Sequence, residues 1–134
     1  MTTRYVNPPG VREVAAYTHA VLRPGVPVFL TGQVAWDSDG KVVGAGDIAA
    51  QAAQVWRNIR AVLAGAGAGL ADIVKLTTYT TDLAHREAIG RERARHFPPG
   101  RFPASTFLVV AGLADPELLV EIDVVAVVPP ERRA

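Results

Sequence analysis

The stretch Leu118–Val128 decides most about how this chain can fold. Its residues alternate with the period of a β-strand. Leu118, Val120, Ile122, Val124 and Ala126 fall on one face, and Glu121, Asp123, Val125 and Val127 on the other. The first face is wholly apolar and needs a cover from within the chain. The second is half apolar and half carboxylate, and a lone protomer would expose an apolar strip beside two charges, a pattern that marks an interface. The cover is available in Asp47–Ala64, where Ile48, Ala52, Val55, Trp56, Ile59, Val62 and Leu63 recur at helical spacing. Asp47 is placed to cap this helix and Gly65 to end it. Trp56 lies in the stripe and reads as core.

The remaining elements follow from turn and period signals. Met1–Arg12 reads as an extended arm and a turn. Tyr17–Leu22 and Val28–Thr31 predict short strands around the turn Arg23–Gly25, and Lys41–Val43 a brief strand after the turn Asp37–Gly40. Ile73–Thr81 is β-branched and predicts a strand. Asp82 can cap a second helix reaching about His96. That helix is polar and carries Gly90 in its middle, at a cost of about 1 kcal/mol relative to alanine. Pro98–Gly100 stops it, and Ala104–Ala111 predicts another strand. The glycines of Gly65–Gly69 follow a helix and precede no lysine, so the segment is a connector and not a phosphate loop. The order predicts an α+β fold, a mixed sheet backed by two helices, in a single domain spanning residues 1–134.

Composition removes several classes of function. There are no cysteines, so disulfides and thiolate chemistry are excluded. Lys and Arg total 14 against 13 Asp and Glu, which gives no field for nucleic acid or an anionic membrane. The arginines of residues 86–101 read as a solvated helix face. No apolar run is long enough to cross a bilayer and nothing near Met1 reads as a leader, so the expected location is the cytoplasm. His19, His85 and His96 lack metal-ligand spacing, no serine sits in a G-x-S-x-G elbow, and no G-x-G-x-x-G follows a strand. Neither a metal nor a nucleotide cofactor is expected from these motifs. Glu121 and Asp123 remain: a desolvated carboxyl there would have a raised pKa suited to acid–base work. From the pattern alone, an ordinary solvated or salt-bridged strand face is the better explanation of both.

Several segments in order resemble the RidA (YjgF/L-PSP) family. Tyr17–Val21 (YTHAV) is similar to its P-Y-S-Q-A-V, and Val28–Gln33 (VFLTGQ) to V-F-x-S-G-Q. Gly46–Gln51 (GDIAAQ) through Asn58 is similar to G-D-I-x-x-Q…Q…N, and Asp72–Lys75 (DIVK) to D-V-V-K. Pro103 and Ala104 match the start of P-A-R-S, and Val120–Asp123 (VEID) is similar to V-E-I-E. The resemblance runs from about Tyr17 to Val128. It implies a homotrimer with the RidA/chorismate-mutase-like fold, with a small-molecule cleft at each subunit interface. It also implies cofactor-free hydrolysis of a 2-imino acid, or its enamine, to a 2-keto acid and ammonia.

Carried over residue by residue, the resemblance makes Glu121 the water-positioning carboxylate and Tyr17 a cleft residue. Thr31 keeps the hydroxyl often supplied by serine and is followed by Gly32. Ser105 stands in place of the carboxylate-binding arginine, Gly90 where an asparagine is frequent, and Thr106 and Phe107 where a serine and a small residue are typical. A neutral hydroxyl cannot replace a bidentate charged clamp. Three consequences stay open: a substrate other than a standard 2-imino acid, a substitute arginine such as Arg101 or Arg95, or loss of the deaminase activity. The resemblance therefore implies an imine or enamine hydrolase with Glu121 and Thr31 at its centre, acting on a substrate other than the usual amino-acid-derived imines. Tyr17, Gly32, Gly90, Arg101, Ser105, Thr106 and Phe107 would surround the substrate in a pocket expected to be more apolar and less positive than usual. A non-catalytic small-molecule-binding or interaction protein on the same trimer is the alternative. Ribonuclease activity has little support, since no basic groove with interleaved aromatics is present.

Overall fold

In the computed structural model, which describes residues 2–132, strand β7 (Val120–Val128) forms the middle of the main sheet. Strands β3 (Val26–Phe29) and β4 (Gln33–Val34) pair antiparallel with it on one side. Strand β5 (Ile73–Thr80) pairs antiparallel on the other, and β6 (Ala104–Val109) lies parallel to β5 at the edge. A parallel neighbour requires a crossover, and the second helix supplies it. Strands β1 (Arg4–Val6) and β2 (Ala20–Leu22) form a separate antiparallel ribbon, so part of the N-terminal arm is a strand.

Helix α1 (Ile48–Gly65) forms where the apolar stripe predicts it. The Asp47 carboxylate accepts from the Ala50 amide at 3.1 Å. Ala52, Val55, Trp56, Ile59 and Leu63 are buried, and each large aliphatic side chain so placed contributes about 2 kcal/mol. Val62, counted in the stripe, is 41% exposed. Gly65 is the last helical residue but does not supply the left-handed terminating conformation. Gly67 does, at φ +73°: its amide donates to the Ala64 carbonyl and the next amide, Ala68, to Leu63 at 2.8 Å. That pair of bonds is the glycine-terminated cap whose left-handed residue disfavours a side chain.

Helix α2 (Arg86–Ala94) is shorter than its predicted span. Asp82 caps a 3-10 turn, Leu83–His85, and α2 begins after it. At the other end His96 leaves the helix to stack on Trp56 with ring centroids 4.6 Å apart, held by Glu92 at 2.8 Å. Ile89 is the buried residue of α2, and both helices cover the face of β7 that carries Val120, Ile122 and Val124. Lys41–Val43 forms no strand; Val42 makes a single bridge to Trp36.

Two polar residues of α1 are structural. Gln51 is fully buried, donates to the carbonyls of Gly44 and Glu117 and accepts from the Leu119 amide. Asn58 donates to the carbonyls of Val34 and Trp36, both at 2.9 Å. They tie α1 to the loops flanking β4 and β7, where unpaired backbone groups would otherwise be costly. Buried Asp72 is similarly held by Arg23 at 2.5 Å and by Arg132.

Candidate functional site

Alternation along β6 divides the expected site residues between two faces of the sheet. Ser105 is in register with Leu76 and Phe107 with Thr78, both buried beneath the helices. Thr106, between them, is in register with Thr77 on the face that no helix covers. Glu121 pairs with Tyr79 on that same open face, and Asp123 with Thr77.

On the helix side, Tyr17, Gly90, Ser105 and Phe107 line one cleft of about 680 Å³. Tyr17 is set there by its neighbour. Thr18 is buried, its hydroxyl donates to the Phe102 carbonyl at 2.5 Å, and its amide donates to the Pro103 carbonyl at 3.3 Å. These bonds pin the segment beside the start of β6. Arg86 and Arg93 of α2 line the same cleft. The Arg93 Nε is buried with no hydrogen-bond partner among the described residues. Burial, and then the charge of Arg86, hold the Arg93 guanidinium below its usual range. The pocket expected to be less positive therefore holds two cations. They lie with Gly90 at helical spacing, four and then three residues apart, which puts all three on one side of α2. That spacing was legible in the sequence, but the position of Ser105 opposite it was not.

The open face carries Glu121, Asp123, Tyr79 and Lys75. The Glu121 carboxylate lies against Gly32, where an added Cβ would overlap it, so a side chain at position 32 would displace the carboxylate. Desolvation, and then Asp123, push the Glu121 carboxyl above the usual glutamate range. Tyr79 donates to Asp123 at 3.1 Å. That bond, followed by the Asp123 charge, raises the Tyr79 pKa. Lys75 donates to the Thr106 hydroxyl at 2.7 Å. Thr31 is exposed in a shallow cleft with Gly32, Trp36 and Asn58. Lys75 and Tyr79 were not singled out in the sequence; β5 had to be paired with β7 before their alternation could place them beside Glu121.

Arg101 lies in neither group. It lines a different cleft with Tyr5, His96 and Phe97. Among the described residues no group of three or more His, Asp or Glu side chains is arranged to hold a metal ion, and no helix is long and apolar enough to cross a membrane. Within one protomer the expected site residues thus fall into two separate groups: a cationic, aromatic cleft under α2 and a carboxylate face across the sheet.

The family model described as Endoribonuclease L-PSP matches residues 10–128. A RutC family protein of Synechocystis, slr0709, is 36% identical over 117 residues, covering 87% of this chain and 88% of that one. The crystal structure of YyfB from Yersinia pestis, a protein of unknown function of the conserved Rid family, superimposes with a TM-score of 0.86 at 37% identity. It covers 96% of this chain and 100% of its own. Rv2704 of Mycobacterium tuberculosis, from the YjgF/YER057c/UK114 family, gives 0.66 at 36% identity over 84% of this chain and 86% of its own. With the fold, the ordered motifs and these matches in agreement, the chain belongs to the Rid (YjgF/L-PSP) family.

Proposed function

We propose that the protein hydrolyses an imine or enamine in a cleft assembled between protomers of a homotrimer. The observation that carries this reading is the Glu121 carboxyl, half-buried against Gly32 with its pKa raised. A carboxyl drawn toward neutrality is suited to take a proton from water and return it. The substrate carbon of a protonated C=N bond is already electrophilic. Water held by Glu121 and the Thr31 hydroxyl adds to that carbon while Glu121 accepts its proton. The proton then passes to nitrogen, the C–N bond breaks as the new hydroxyl gives its proton to Glu121, and a carbonyl compound and ammonia leave. An enamine enters the same route once protonated on carbon. The step needs placement and a base, and no covalent nucleophile.

Trimer assembly is supported by the open face. Phe29, 75% exposed, and half-buried Val125 and Val127 lie there beside Glu121, so a neighbouring protomer would bury them. The same packing would bring Glu121 of one protomer to the Tyr17, Ser105 and Phe107 half-site of the next, with Gly90 and Thr106 at its margins. Since Ser105 removes the strand-borne clamp, the substrate is one other than a small 2-imino acid.

The test is to generate 2-aminoacrylate and bulkier imines in situ and to follow carbonyl product and ammonia. Turnover of a bulkier imine should fall roughly a hundredfold or more in Glu121→Gln. 2-Aminoacrylate should be turned over more slowly than by a family member that has the arginine. Ligand binding with no turnover of any imine would replace this reading with that of a non-catalytic binding protein.

A further inference from the structure

Arg93 is the side chain that the hydrolase reading leaves unused. It comes from α2, its Nε is buried without a partner, and no carboxylate among the described residues forms an ion pair with it. The one acidic residue in its cleft, Glu87, is turned to Arg91 at 3.0 Å. A half-buried cation without a counter-charge is costly to keep unless something of opposite sign visits it.

The surrounding residues shape the space for that visitor. Gly90 sits between Arg86 and Arg93 on the cleft side of α2. A Cβ added there would meet only the Arg93 Nη2, at 3.9 Å, so the packing of this chain does not require glycine at that position. What the missing side chain leaves is room directly beside the guanidinium. Ser105 is short and adds to that room, while Tyr17 and Phe107 provide aromatic walls. Flat apolar walls leading to a forked cation suit a carboxylate carried on a bulky, preferably aromatic, group.

We propose that Arg93 is the carboxylate anchor of this cleft, reaching in from α2 toward the space that the short Ser105 leaves open, and that the ligand it selects is an aryl-bearing carboxylate. Arg86 adds a second positive charge at the rim. The proposal shares its cleft with the hydrolase reading and specifies its substrate class, but it concerns binding and holds with or without turnover.

Calorimetric titration of the intact protein with phenylpyruvate tests it, with phenylacetone as the same skeleton lacking the carboxylate. Phenylpyruvate should bind at least roughly tenfold more tightly than phenylacetone. Arg93→Gln should remove that preference while leaving phenylacetone binding unchanged, which also shows that the cleft is still formed. Arg93→Lys should restore part of it, since lysine returns the charge without the fork. Gly90→Leu should block both ligands. Equal binding of the two ligands, or full phenylpyruvate affinity in Arg93→Gln, overturns the proposal, and so does loss of affinity in Arg101→Gln but not in Arg93→Gln. Binding through Arg93 with no imine turnover keeps this inference and sinks the hydrolase; turnover with Arg93→Gln binding unaltered does the reverse.

Discussion

On the proposed reading, Glu121 would serve chemistry at the expense of stability. Its carboxyl is raised above the usual glutamate range, mainly by desolvation and then by Asp123. The folded state therefore holds the proton more tightly than the unfolded chain does. The stability this contributes is present below the ordinary glutamate pKa and is lost as pH rises through the raised folded value. Relative to Glu121→Gln, the parent should lose unfolding free energy across that window, and at pH 7 the variant should be at least as stable although its imine turnover should be far slower. Urea titrations of both proteins at several pH values measure this; identical pH dependence would show that the carboxyl titrates normally. The sequence placed Glu121 and Asp123 on one face because strand alternation is a local property. It could not give the close approach of Gly32 to the carboxylate, which depends on how the chain after β3 returns to β7.

At the scale of elements, α1 was legible and α2 only in part. The α1 stripe is long enough for its period to be unambiguous, and Asp47 caps it as its residue type predicts. Its far end was misplaced because two glycines, Gly65 and Gly67, compete for the left-handed position and only the backbone settles which takes it. Helix α2 has few apolar anchors, so its bounds are set by other means: the local Asp82 turn at one end and the His96–Trp56 stack, a tertiary contact, at the other. Strand β4, two residues long, gives no periodic signal at all. Gly90 in α2 should behave as a residue retained for the cleft. Gly90→Ala should raise stability by about 1 kcal/mol, the helix-propensity difference, since the added methyl meets nothing closer than 3.9 Å. Thermal denaturation reads this directly, and a destabilised variant would mean that the backbone there needs glycine after all.

The whole molecule is expected to be a trimer, and light scattering should return three times the 14.2 kDa chain mass. Phe29 offers the sharpest check, because it projects from the uncovered face and is 75% exposed. Phe29→Glu should yield folded protomers with native circular dichroism that no longer associate; a variant that still runs as a trimer would place the interface elsewhere. The division of site residues between the two faces also reaches into genetics. Glu121 faces away from the cleft that holds Arg93, so a complete site would draw one from each of two neighbouring chains. If both groups are needed for turnover, two impaired alleles, Glu121→Gln and Arg93→Gln, should therefore rescue each other when expressed together. Random co-assembly in equal amounts restores about a quarter of the sites, because each needs one intact half from each side. A protein whose site lay within a single chain would show no rescue, whatever the dose of either allele.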